Sequence, residues 1–70
     1  MGKNIYNSIS IIVPTYNEEA NIKPLVERIH TALSKGDIAY EIIFIDDHST
    51  DNTLSIIRDL SLVYPIILSE

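Results

Sequence analysis

The stretch Glu41–Asp51, Glu-Ile-Ile-Phe-Ile-Asp-Asp-His-Ser-Thr-Asp, constrains this chain more than any other. It opens as an apolar, β-favouring run from Ile42 to Ile45. It then switches at once to two carboxylates, an imidazole, two hydroxyls and a third carboxylate. A continuous apolar run of this length predicts a strand buried on both faces, as in a parallel sheet covered by helices. In such sheets ligands collect outside the carboxyl ends of the strands. Asp46 and Asp47 stand at such an end.

The flanking segments supply the scaffold. Ile9–Val13 is β-branched and apolar except for Ser10, and predicts strand 1. Pro14 is expected to end it, because proline donates nothing to a ladder. The residues before it, Met1–Ser8, read as a polar lead-in. A loop, Pro14–Asn21, leads into helix 1. Pro24 fixes the start of that helix, because proline is tolerated only in the first turn. Asn21 is then the N-cap. Ile22, Leu25, Val26, Ile29 and Leu33 share one face at helical spacing, and Gly36 is the expected stop. After a connector, Asp37–Tyr40, strand 2 is expected over Glu41–Ile45. Helix 2 follows from about Asn52 to Leu60, capped by Ser49 or Asp51, with Leu54, Ile57 and Leu60 as its apolar stripe. Pro65 closes a turn into strand 3, Ile66–Leu68.

The order β-α-β-α-β with helix-length crossovers predicts a parallel sheet and right-handed connections. The fold class is therefore α/β, a three-layer Rossmann-like unit. The chain has 70 residues and 46% hydrophobic content, enough for one domain spanning residues 1–70 but small for an independent core. Cysteine is absent, which excludes disulfides and thiolate metal sites. A sheet stopping at strand 3 leaves a parallel edge unpaired and apolar surface bare. The sequence therefore reads as the N-terminal piece of a larger domain.

Net charge is −5, with the five basic residues scattered, so a broad nucleic-acid footprint is not expected. No segment reaches the roughly 18–20 apolar residues of a membrane span, and no signal-peptide pattern opens the chain. The expected location is cytoplasmic, with an anchor further along a longer chain left open. With only Gly2 and Gly36, the phosphate-loop and dinucleotide fingerprints are excluded.

Strands 1 and 2 are expected to be neighbours, which would bring Pro14–Glu18 and Ile45–Asp47 into one crevice. There a carboxylate can accept from a base N–H or ribose hydroxyl, and an aromatic ring can stack on a base. Tyr16 and Asp47 are the pair for this. The plain alternative is that the loop acids are solvated or cap helices. A His48–Asp46–Asp47 metal cluster is disfavoured, since adjacent residues rarely aim at one ion. His30 reads as a helix-surface residue. Ser49 has no general-base partner, so capping explains it better than nucleophilic attack.

Val13-Pro14-Thr15-Tyr16-Asn17-Glu18-Glu19-Ala20-Asn21-Ile22, followed after a helix by the Asp46-Asp47-His48-Ser49-Thr50-Asp51-Asn52-Thr53 block, resembles the amino-terminal part of family 2 glycosyltransferases. Within that family it is most similar to the polyprenyl-phosphate, dolichol-phosphate mannose synthase-like branch. The likeness covers the chain from about Ser8 to Leu68. It implies a GT-A fold and a UDP- or GDP-sugar donor. It also implies an acceptor that is often a lipid phosphate at the cytoplasmic face of a membrane. Carried over position by position, Pro14, Tyr16 and Glu18 contact base and ribose, Ile45 and Asp47 join from strand 2, and Asp46 shapes the loop. His48 departs from the pattern, which commonly has glycine or another small residue there.

The family's Asp-x-Asp motif, which holds Mg²⁺ or Mn²⁺ on the diphosphate, lies beyond strand 3 and is absent from this sequence. No catalytic or metal-binding residue is therefore assigned, and the divalent ion belongs only to a longer chain. The alternative is a non-catalytic module that binds a nucleotide or a protein. A phosphoryl-receiver reading fails on order, because there the acid pair follows the first strand and a phosphoacceptor Asp ends a later one.

Overall fold

The computed structural model describes residues 8–70. Three parallel strands, β1 (Ser8–Thr15), β2 (Ala39–Asp46) and β3 (Ile66–Ser69), alternate with helices α1 (Ile22–Lys35) and α2 (Thr53–Leu60). The spatial order is β1-β2-β3. Register runs from Ser8 opposite Ala39 to Thr15 opposite Asp46, and from Ile42 opposite Ile66 to Ile45 opposite Ser69. The expected β-α-β-α-β Rossmann-like topology is present.

Period 2 sorts the strand side chains. Ile42 and Phe44 of β2 are fully buried, together with Ile22 and Val26 of α1 and Ile57 of α2. Val13, Leu25, Ile29, Tyr40, Leu60, Ile66 and Leu68 pack around them. One face of the central strand thus meets both helices, as two successive crossovers of one hand in the order 1-2-3 require. Of the three layers expected, the described residues supply two. The expectation that β2 is buried on both faces is corrected accordingly. On the other face Ile12, Ile43 and Ile67 form one row across the three strands, with Ile12 at 62% and Ile67 at 49% exposure. No helix among the described residues is long and apolar enough to cross a membrane.

Several boundaries move for identifiable reasons. β1 runs through Pro14 to Thr15 instead of ending at Pro14. The Thr15 carbonyl accepts from the Asp47 N–H at 3.0 Å. Pro14, of opposite parity, therefore turns its missing donor toward the open edge of the sheet, where proline is harmless. β2 starts at Ala39, inside the expected connector. The chain leaves α1 through two bonds, Asp37 N–H to Ser34 C=O and Ile38 N–H to Leu33 C=O, which close the helix end within two residues. In that motif Asp37 carries the positive φ of 56°, while Gly36 has an ordinary φ of −88°. Asn21 stands at the N-cap position of α1 but makes no capping bond with its side chain. The expected stripe of α2 is kept at Ile57, with Thr53 rather than Leu54 or Leu60 as its second fully buried member. The part of the lead-in before Ser8 lies outside the described residues.

Candidate functional site

The carboxyl ends of β1 and β2 release two loops, residues 16–21 and 47–52, that are cross-linked by short polar side chains. Asp46 is the buried anchor, at 5% exposure. Its Oδ1 accepts from Thr15 Oγ1 at 2.7 Å and Ser49 Oγ at 2.6 Å, and its Oδ2 accepts from the Ser49 N–H at 2.8 Å. Burial pushes this carboxyl up, but the hydrogen bonds from Ser49 and Thr15 outweigh burial and hold its pKa below the ordinary value. Asp46 thus shapes the loop, the role expected for it.

Asn17 is the hub on the other side. Its Oδ1 accepts from the N–H groups of Thr50 at 2.8 Å and Asp51 at 3.3 Å, while its own N–H donates to Ser49 Oγ at 2.9 Å. Glu19 closes a reciprocal pair. Its N–H donates to Asp51 Oδ2 at 3.3 Å, and its Oε1 accepts from the Asn52 N–H at 2.9 Å. The Glu18 N–H donates to the buried Thr53 hydroxyl at 2.8 Å, and that hydroxyl donates onward to Asp51. Asp51 Oδ1 also accepts from the Thr53 N–H at 2.9 Å, which satisfies an open donor at the start of α2. Burial raises the Asp51 carboxyl, but the bonds from Thr53 and Glu19 prevail and its pKa is lowered.

The N-cap position of α2 is Asn52, whose side chain makes no capping bond; of the two caps expected, Asp51 reaches the Thr53 N–H from one residue earlier and Ser49 does not reach the helix. The Ser49 hydroxyl is committed to Asp46 and Asn17, so its assignment as a cap is corrected. Asn17, Glu19 and Thr15 were not singled out by the sequence. The available signal was the density of Ser, Thr, Asn and Asp in both loops, residues that bond to nearby backbone.

The residues expected to contact a nucleotide gather at this end of the sheet. Pro14 and Ile45 are register partners, both exposed on the face away from the helices. Tyr16 follows β1 and is 56% exposed. Glu18 is half-buried and accepts from Asn21 Nδ2 at 3.3 Å. Asp47 differs sharply from its neighbour: its side chain is 87% exposed, and its recorded side-chain contact is with His48 Nδ1 at 3.3 Å. Beside it, between the ends of β2 and β3, opens a cleft of about 440 Å³ lined by Asp46, His48, Ser49, Leu54 and Glu70.

These residues do not fit a divalent metal site. Asp46 and Asp51 spend their oxygens on internal hydrogen bonds, and no group of three His, Asp or Glu among the described residues could hold an ion. At the amino end of β2, His30 Nδ1 lies 2.7 Å from the Tyr40 hydroxyl, and its ring meets Tyr64 edge-on at 5.3 Å. The helix-surface residue expected there also braces α1 against the sheet.

An open parallel sheet with polar loops crossing at its carboxyl edge defines the class of α/β proteins that bind ligands in that crevice. This chain belongs to glycosyl transferase family 2, whose model matches residues 10–68. It is 43% identical over 58 residues to a dolichol-phosphate mannosyltransferase of Pyrococcus furiosus, covering 83% of this chain and 16% of that protein. It is 40% identical over 55 residues to an undecaprenyl-phosphate 4-deoxy-4-formamido-L-arabinose transferase of Aeromonas hydrophila, covering 79% and 17%. With a dodecaprenyl-phosphate galacturonate synthase of Rhizobium johnstonii it shares 46% identity over 46 residues, covering 66% and 14%. The chain spans about a sixth of the length of these curated relatives.

Proposed function

We propose that this chain is the nucleoside-binding part of a glycosyltransferase that uses a nucleotide-sugar donor. Pro14, Tyr16, Glu18, Ile45 and Asp47 contact the base and ribose of a UDP- or GDP-sugar. The observation that carries this reading is the contrast between two adjacent carboxylates. Asp46 is buried and saturated by the fold, whereas Asp47 is exposed at 87% on a loop that Asp46 holds rigid. An exposed acceptor at a strand's carboxyl end suits the N–H edge of a base.

Glycosyl transfer itself belongs to a longer protein. The metal expected to stabilise the departing diphosphate finds no ligand set among the described residues. The acceptor we propose is a polyprenyl phosphate, the class of lipid phosphate that the three relatives above are named for.

Calorimetric titration of UDP and of GDP tests the site. Asp47→Ala is expected to weaken binding of the preferred nucleotide by about 1–3 kcal/mol, because it leaves base donors unpaired. Tyr16→Ala should weaken binding with little change in stability. Equal affinity of wild type and Asp47→Ala would remove Asp47 from the site.

A further inference from the structure

We propose that His48 is a nucleoside-contacting residue, whose imidazole walls the crevice on the β3 side of Asp47, opposite Tyr16. The inference rests on the nucleotide reading above.

Among the described residues, Asn17, Asp37 and His48 adopt positive φ without being glycine. Asn17, at φ 49°, uses its side chain to tie the two loops together. Asp37, at φ 56°, closes the end of α1. His48, at φ 59°, turns the chain so that the N–H and hydroxyl of Ser49 reach Asp46, a backbone role that glycine would fill without strain. Its side chain is 96% exposed, and its recorded polar contact is the 3.3 Å approach of Nδ1 to Asp47 Oδ1. The left-handed conformation is unfavourable for a residue with a Cβ. The backbone there asks for no side chain, so an imidazole kept on a left-handed residue at the mouth of a crevice points to use of the ring.

Position supplies the use. Asp47 bonds through its N–H to Thr15, so Tyr16 continues on the β1 side of the carboxylate. His48 lines the cleft shared with Leu54 and Glu70, on the β3 side. In this proposal a base with its N–H edge on Asp47 meets the Tyr16 loop on the β1 side and His48 on the β3 side. Nδ1 is engaged with Asp47, which leaves Nε2 free for the ligand. The other titratable groups lining this cleft are carboxylates, Asp46 and Glu70, and Arg58 nearby is paired with Glu70 at 2.5 Å. Such surroundings repel a diphosphate and accept a neutral nucleoside.

The test is titration of uridine, guanosine, UDP and GDP into wild type, His48→Gly and His48→Asn, with denaturation of each protein. Asn retains tolerance of the left-handed backbone while removing the ring. We expect His48→Gly to be more stable than wild type. We expect both variants to bind the preferred nucleoside and its diphosphate about three- to tenfold more weakly, the scale of one lost aromatic contact. Unchanged affinity in both variants, or a loss confined to the diphosphate, overturns the inference. If Asp47→Ala weakens binding while the His48 variants do not, the nucleotide reading stands and the His48 assignment falls. Wild type that binds none of the four ligands overturns both.

Discussion

Asp37 and Gly36 show how a single residue's role differs from what its identity suggests. Glycine after a helix is the usual left-handed terminator, and the sequence points to Gly36. In the structure Asp37 takes the left-handed turn, and Gly36 serves a different need. A Cβ on Gly36 would stand 3.2 Å from Ile38 Cδ1, closer than ordinary contact. Glycine there makes room for Ile38 to fold back toward Leu33, whose carbonyl accepts its N–H. The strained position is one residue later than the glycine. Asp37→Gly is therefore expected to stabilise the chain by about 1 kcal/mol, by removing the Cβ from a left-handed backbone. Urea denaturation of the two proteins measures this, and a lower midpoint in the variant would show that the Asp37 carboxylate contributes more than its backbone strain.

At the scale of elements, the two loops form one unit because each donates to the other. Their acids are held ionised: Asp46 and Asp51 both have lowered pKa values, burial opposing and the hydrogen bonds from Ser49, Thr15 and Thr53 prevailing. A carboxyl whose folded pKa lies below its unfolded value, about 3.9 for Asp, stabilises the fold fully above that value. The contribution is lost as pH falls through the folded pKa. Stability should therefore hold steady near neutrality and fall as pH drops below about 4. Asp51→Asn, which keeps an acceptor for Thr53, should lessen that fall. Denaturation midpoints across the acid range check both, and a variant with the wild-type slope would place the acid sensitivity elsewhere.

The elements themselves were legible because period and punctuation agreed. Pro24 marked the first turn of α1, and the Ile42–Ile45 run marked β2. The latch was not legible. Hydrogen bonds between residues more than thirty positions apart, such as Thr50 to Asn17, depend on register, which sequence pattern leaves open. Ser49 illustrates the point. Locally it looks like a helix cap, but Asp46 takes its hydroxyl from within the same loop and Asn17 donates to it from the other.

For the whole molecule, the asymmetry of the sheet decides where substitutions matter. The same isoleucine-rich pattern serves two faces with opposite fates. Ile42 and Phe44 are fully buried beneath both helices, whereas Ile12, Ile45 and Ile67 remain substantially exposed on the other side. Sequence periodicity could not separate them, because a strand with isoleucine at successive positions reads as doubly buried whichever face is covered. Burial energetics can. Ile42→Ala removes packed atoms from beneath α1 and α2 and is expected to cost about 2–5 kcal/mol, a large part of the stability a chain of this size can hold. Ile67→Ala, on the uncovered face, removes atoms already half in water and should cost well under half as much. Parallel denaturation of the two variants separates the faces. Equal losses would mean that the open face is covered in solution, by association of the chain or by residues outside the described span.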